Sequence, residues 1–423
     1  MPRTVLFWLH LVAGVLAGAI ILLMSVTGVL LTYEKQMTLA ADMRQIQPIS
    51  ATATNRLSAD SLIQLATALR NGTAPSAMTI RADSAAPVQL AFGREGVIYL
   101  DPTTGASLGE GNAAVRAFFA SMTEWHRWLA GKDENRKLGK QITGIANLAF
   151  LVLVLTGMVL WLPRTFTWIR FKSVLWFRGG LSGKARDFNW HNVLGIWSAI
   201  PLVIIVASAT VIGYPWASDL VYKAVGEAPP PRNAGGQQGG SGAPGAAQPA
   251  VAGGRGETPV GDQIGGRRGN SAELGQMPTE RVAPAVTYAA ALAMALPLMP
   301  EWKAATLQLP KPDAKTIAVT LDRGTGGQPH LRATVQIAKT SGAVDKFQPF
   351  DSLTTGRQVR NVLRFAHTGE VLGLLGQTLA GLVSLASVVL VVTGITLSIR
   401  RASAALDRRN RPTRSDTVGV AAD

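Results

Sequence analysis

Histidine is the residue type in this chain whose number and placement suggest chemistry. There are five in 423 residues, and four of them, His10, His126, His191 and His367, stand at or just before long apolar runs. His10 and His191 each precede a glycine by four residues, Gly14 and Gly195, and open two such runs. His126 and His367 come before the other two. An imidazole in or beside lipid is costly unless it has a partner. Two imidazoles facing each other across a helix bundle make the axial ligand pair of a b-type haem, whose iron accepts histidine nitrogens and needs no cysteine. Matching by position pairs His10 with His191 and His126 with His367, which predicts two b-type haems. Any one of the four, taken alone, is read more simply as an interfacial side chain bonded to backbone or lipid headgroups; the fourfold recurrence favours ligation. Zinc or copper at either pair would call for additional Asp, Glu or Cys ligands, and Glu124 and Glu370 are the near candidates. His330, the fifth histidine, reads as a surface residue at a strand edge.

The elements that must position these residues are legible from composition. Four apolar runs exceed the ~20 residues an α-helix needs to cross a bilayer. They are placed at 6–33, 141–163, 188–216 and 370–400. The third, Asp187–Trp216, carries no charged side chain from Asn192 onward. The first is longer than a signal-peptide core and has no small-residue cleavage site after it, so it is expected to remain as an anchor. Arg and Lys gather in the loop 164–187 and in the tail 401–423, which sets both in the cytoplasm by the positive-inside rule. Both termini are then cytoplasmic, and residues 34–140 and 217–369 lie outside. The fold class predicted is an α-helical membrane protein, four transmembrane helices with two periplasmic α+β modules.

Each outside region has a helix followed by strands. In the first, Ala59–Arg70 has helical spacing, Ala77–Arg81, Val88–Phe92 and Val97–Leu100 read as strands, and Asp101–Gly105 as a turn. Asn112–Leu129 is then helical, with a break at Gly131–Asn135. In the second, Val282–Leu296 is helix-like, and Ala305–Leu309, Thr316–Leu321, Leu331–Ala338 and Val344–Phe347 are strand-like. Between the third apolar run and this module lies an insert, 229–275, rich in Gly, Pro, Ala and Gln, which lacks the apolar residues to fold. Span, outside module, span: the same order occurs twice, an internal repeat of parallel sense. Thr27-Gly28, Thr156-Gly157 and Thr393-Gly394 recur deep in three of the spans. His126 lies 15 residues before Gln141, ~22 Å in a straight helix, so the Gly131–Asn135 break must fold the chain back if His126 is to reach the membrane edge.

The net charge of +15 is accounted for by basic clusters abutting the spans, and nucleic-acid binding is not expected. With no cysteine, disulfides, thiolate catalysis, iron–sulfur clusters and covalently attached haem are excluded. Trp8, Trp125, Trp128, Trp190 and Trp197 flank the histidines. They could wall haem faces, but interfacial anchoring is the commoner role of such tryptophans. Arg127, Arg186 and Arg364 are placed either to hold haem propionates or to serve as interfacial charges.

Trp125-His126-Arg127-Trp128-Leu129, Asn189-Trp190-His191-Asn192-Val193-Leu194-Gly195 and Ala366-His367-Thr368-Gly369-Glu370 resemble motifs of the PepSY-associated transmembrane-helix family, and the helix-strands-turn order resembles a PepSY module. The resemblance covers nearly the whole chain apart from the insert and the tail. It implies a bacterial inner-membrane protein with two b haems. It also implies outward electron flow, from a cytoplasmic or quinol donor to a ferric siderophore or other ferric chelate. Two rival functions predict differently. A membrane-anchored regulator of a periplasmic protease or signalling partner would need no cofactor and would tolerate loss of the histidines. A haem or metal transporter would move ligand instead of electrons, and the scarcity of charge inside the spans argues against it.

Overall fold

The computed structural model describes residues 2–46, 55–162, 167–231, 286–310 and 314–409. The greater part of the expected insert and the end of the tail lie outside the described residues. In chain order, α1 (Pro2–Leu31) is continued after a short turn by α2 (Glu34–Gln45). Then come α3 (Ala59–Leu69), β1 (Ala77–Arg81), β2 (Val88–Ala91), β3 (Val97–Leu100) and β4 (Ser107–Gly109). The chain returns through α4 (Ala113–Trp128) and α5 (Asp133–Trp161). A short α6 (Trp168–Leu175) precedes α7 (Gly183–Gly213) and α8 (Pro215–Ala224). The second half has α9 (Tyr288–Ala295), β5 (Ala304–Gln308), β6 (Thr316–Asp322), β7 (Arg332–Ala338), β8 (Val344–Pro349), α10 (Thr355–His367) and α11 (Gly373–Arg409).

Four helices, α1, α5, α7 and α11, are long and apolar enough to cross a membrane. Each begins or ends beyond the bare apolar run. α5 starts at Asp133, inside the stretch expected to be a break, because Asp133 and Glu134 suit the positive end of a helix. The reversal runs into its first residue: Leu129, Ala130 and Asp133 all have positive φ, at 54°, 53° and 47°, and α4 folds back along α5. Thr143 of α5 donates to the Arg127 carbonyl at 2.9 Å, and Gly139 lies so close to the Trp128 carbonyl that any side chain would collide with it. The fold-back that His126 required is therefore present.

α1 packs against α5 and α11, and α7 against the same two. The four form a ring in which α1 faces α7 and α5 faces α11 across the diagonals. One end carries Arg3, Lys184, Arg186, Arg400 and Arg401 and is called the basic end. The other meets the strands and is called the sheet end.

The strands of both halves make one antiparallel sheet, in the order β4-β3-β2-β1-β5-β6-β7-β8. The two modules expected from sequence both form, but they share a single body. Its seam is the pairing of β1 with β5, from Ala77 opposite Gln308 to Arg81 opposite Ala304. The Thr79 and Thr306 hydroxyls bond across the seam at 3.0 Å. Asp60 of α3 caps α9, accepting from the Tyr288 and Ala289 amides at 2.9 Å each. One continuous core, with Leu62, Leu90, Leu307, Val319 and Val335 buried, spans both halves under these two helices. Burying each such side chain is worth roughly 1.5–3 kcal/mol.

The sheet is tied to the bundle by polar contacts on α2 and its surroundings. Buried Asp42 accepts from the Tyr99 hydroxyl at 2.7 Å and pairs with Arg116 at 2.6 Å. Lys35 pairs with Glu370 at 2.6 Å, and Gln36 with Gln377 at 2.7 Å.

Candidate functional site

The four histidines meet in the two pairs their positions predict. At the basic end, His10 of α1 and His191 of α7 face each other across the diagonal, ring centres 6.4 Å apart and planes at 87°. At the sheet end, His126 of α4 and His367 of α10 stand 6.2 Å apart at 53°. A metal bound by one nitrogen of each of two opposed imidazoles, with bonds of about 2 Å, sets their ring centres roughly 6 Å apart. Along α1 the two sites are separated by the 17 residues from His10 to Thr27, about 25 Å of helix, comparable with the ~30 Å hydrocarbon core.

A ligand must also present the right nitrogen. Nδ1 of His10 lies 2.9 Å from Thr156 Oγ1, Nδ1 of His191 3.0 Å from Thr393 Oγ1, and Nδ1 of His126 3.0 Å from Thr27 Oγ1. Each threonine hydroxyl has one proton, and each gives it to its own helix: Thr156 to Val152 O at 2.7 Å, Thr393 to Val389 O at 2.7 Å, Thr27 to Leu23 O at 2.8 Å. The hydroxyl oxygen can then only accept, so Nδ1 carries the hydrogen, and in the neutral ring Nε2 keeps its lone pair. His367 reaches the same state by donating Nδ1–H to the Ile205 carbonyl at 2.9 Å. A metal-bound histidine is usually oriented in this way, by a bond from its other ring nitrogen. Desolvation lowers the proton affinity of His126, to about 4, and that of His367, so both rings at the sheet end are neutral near pH 7.

The glycine after each threonine completes the seat. A Cβ at Gly157 would lie 3.3 Å from His10 Cε1, one at Gly394 3.3 Å from His191 Cε1, and one at Gly28 3.6 Å from His126 Cε1. The repeated Thr-Gly pair is thus a histidine holder: threonine sets the tautomer and glycine admits the ring. Sequence showed the repetition but not its partner. The holders lie on the other diagonal from the rings at the basic end, on α5 and α11. At the sheet end they lie on α1 and α7, where the position matching Thr27-Gly28 is Ser208-Ala209 and the hydroxyl turns to its own Ile205 carbonyl at 2.8 Å.

The basic-end pair opens into a cavity of about 730 Å³, within the range of pockets that enclose small molecules and cofactors. Gly14, Gly18 and Gly195 join Gly157 and Gly394 in its walls, with apolar side chains such as Ile21, Phe150 and Leu202. Small residues on facing helices leave room for a flat, bulky group. Among the described residues no group of three or more His, Asp or Glu gathers to hold a metal ion. At the basic end two opposed imidazoles, a largely apolar cavity and no acidic third ligand among the described residues fit a haem and do not fit a four-coordinate zinc site; at the sheet end the opposed rings offer the same ligand pair. Glu370, one of the two nearby carboxylates, is engaged by Lys35.

The flanking residues divide. Trp8 lines the cavity, as does Trp161, which sequence analysis had not singled out. Trp190 packs edge-on to Phe177, and Trp197 donates to the Leu175 carbonyl at 2.9 Å, so both hold the α6 segment instead of a cofactor face. Trp128 is buried between the guanidinium groups of Arg127 and Arg136, and Trp125 is exposed. Arg186 is paired with Asp187 at 2.9 Å, which commits it away from the propionate role considered for it. Arg127 and Arg364 lie over Trp128 and Phe365 near the sheet-end pair. His330 is exposed in the turn before β7, as expected.

No curated protein matches the chain. A family model described as the PepSY-associated TM region does, over residues 7–401. With four membrane-crossing helices, a sheet carried between them and that match over nearly its whole length, the protein belongs to the PepSY-associated transmembrane family.

Proposed function

We propose that this protein is a di-haem b electron-transfer protein of a bacterial inner membrane, reducing ferric chelates such as ferric siderophores outside the membrane for iron acquisition. The observation that carries the reading is the pair of opposed imidazoles at each end of the bundle, each ring fixed with Nε2 free. His10 and His191 would hold the haem at the basic end, which the positive-inside rule sets in the cytoplasm, and His126 and His367 the haem at the sheet end. Bound haem supplies a one-electron ferric/ferrous couple at each end of the bundle.

The chain's own part is to bind, orient and insulate. Thr27, Thr156, Thr393 and the Ile205 carbonyl fix the four rings before any metal arrives, so little ordering remains to be done on binding. Apolar walls keep water from the slot. A cytoplasmic or quinol donor supplies the electron, and the sheet-end module faces the acceptor. Iron(II) binds hard oxygen ligands less well than iron(III), so reduction favours release. Electron transfer from haem to a ferric chelate needs no general base or nucleophile; a quinol donor would release two protons with its two electrons.

The test is an absorbance spectrum of the purified protein, supplied with haem, with and without dithionite. Sharp reduced bands of the b type are expected, at two haems per chain. A colourless protein whose behaviour is indifferent to replacing His191 and His367 would sink this reading and leave the membrane-anchored regulator in its place.

A further inference from the structure

A haem b carries two carboxylates on one edge, and they need cations or donors wherever that edge comes to rest. Among the described residues Arg3, Lys184 and Arg401 line the cavity at the basic end, and Arg186 and Arg400 lie within two residues of them in sequence; three of these five are already committed. Arg3 donates to the Leu160 and Leu162 carbonyls, closing the last turn of α5. Arg186 and Arg400 both pair with buried Asp187, at 2.9 and 3.3 Å. Lys184 and Arg401 remain. Both line the cavity, and neither has a carboxylate partner among the described residues. Arg401 is held in place by stacking, its guanidinium 4.9 Å from the Phe7 ring centre and 5.4 Å from that of Trp8. This leaves its donor edge available while the flat face is covered.

Their positions keep the same distance from the site on two neighbouring helices. Lys184 is on α7, seven residues before His191, and Arg401 is on α11, seven residues after Gly394. Seven residues are two helical turns, about 10 Å. Each cation therefore lies two turns toward the basic end from an element that seats a ring, on the same helix. The slot between is apolar, so an anion entering it has these two groups to meet first. We propose that Lys184 and Arg401 form a two-point carboxylate clamp that takes the haem propionates at the basic end and so sets which edge of the macrocycle faces that end. This rests on the haem reading above. A neutral quinol in the same cavity would leave both cations unmatched; an anionic lipid headgroup would match them without any macrocycle in the slot.

The experiment uses the full chain in detergent, in the His367→Ala background, which leaves one haem site. Haem release is followed by transfer to apomyoglobin for the otherwise unchanged background and for Lys184→Gln/Arg401→Gln. Each is loaded either with haem b or with its dimethyl ester, in which the propionates are uncharged. The clamp predicts at least tenfold faster release of haem b from the double variant, and equally fast release of the ester from both proteins. Lys184→Arg/Arg401→Lys should restore slow release of haem b. Release of haem b at the background rate from the double variant overturns the clamp, as does ester release as slow as that of haem b, the outcome expected if the two cations serve a lipid headgroup. Should His367→Ala fail to fold, the same comparison in the chain with both sites gives two release phases, of which only one should quicken. Failure of the wild-type chain to take up haem at all is a different result, and it overturns the haem reading itself.

Discussion

The two histidine pairs are built by one rule and finished differently. At the basic end both rings rest on threonine hydroxyls, both have a glycine against Cε1, and the planes cross at 87°. At the sheet end one ring has the Thr27-Gly28 seat. The other leans on the Ile205 carbonyl beside Ser208 and Ala209, and the planes close to 53°. The rings also come from different places. His10 and His191 are carried by the spanning helices themselves, whereas His126 and His367 are the last turns of shorter helices that fold back onto the bundle. The comparison teaches that what the duplication kept is a ring position with a defined tautomer. A side-chain hydroxyl and a backbone carbonyl both achieve it, because each can only accept.

The largest expected effect separates the pairs outright. His191→Ala should remove the haem at the basic end and His367→Ala that at the sheet end, each leaving one haem per chain by extracted-haem assay, and the double variant none. Loss of both haems from either single change would mean the two sites are not independent.

Next come the seats. Gly394→Val puts a branched side chain where His191 Cε1 already lies 3.3 Å from a bare Cβ position, and it should empty the basic end. Ala209→Gly, at the matching place by the sheet end, should leave occupancy unchanged. Equal sensitivity at the two ends would break the contrast drawn between them.

The threonines should matter less than the rings they hold. Thr393→Val leaves Nδ1–H without its acceptor and frees the tautomer. Loss of such an orienting bond typically costs about 10–100-fold in metal affinity. Ser208→Ala should change little, since its hydroxyl serves its own helix at 2.8 Å. Titration of each variant with haem measures both. A Ser208→Ala loss as large as that of Thr393→Val would show that the sheet-end ring depends on a side chain after all.

The smallest signature is spectroscopic and needs no variant. Near-perpendicular imidazole planes leave the iron dπ orbitals almost degenerate, and more nearly parallel planes split them. The oxidised protein should give two low-spin electron paramagnetic resonance signals, the more anisotropic one lost in His191→Ala and the more rhombic one in His367→Ala. Two identical signals would remove the angular difference from the comparison.

Much of this was legible before any coordinates. Charge-free runs long enough to span a bilayer placed the four long helices, and short runs of strand-forming residues between turn signals placed β1 and β3 at their observed bounds. The histidine pairing followed from the repeat, because duplicated halves place equivalent residues at equivalent depths. Several elements were missed. α2, α6 and α8 are short and pack against the bundle and its neighbouring segments, which gives local periodicity few residues to show itself in. α10, which carries His367, was missed although legible: Val359, Val362, Leu363 and Ala366 recur at helical spacing, set off from Arg357, Arg360 and Arg364.

Composition and spacing alone determined that the chain crosses a membrane, that it is duplicated and that imidazoles stand at matching depths, because apolar length and residue repetition are properties of the chain itself. Only the tertiary structure joined the two modules through β1 and β5, whose paired Thr79 and Thr306 lie 227 residues apart. It alone turned Thr156 and Thr393 into acceptors for rings on the opposite diagonal, and gave the Ile205 carbonyl a role that no side chain records. Hydrogen-bond partners across a bundle are fixed by where helices come to rest against one another, and backbone atoms are the same at every residue, so neither leaves a mark in the order of the residues.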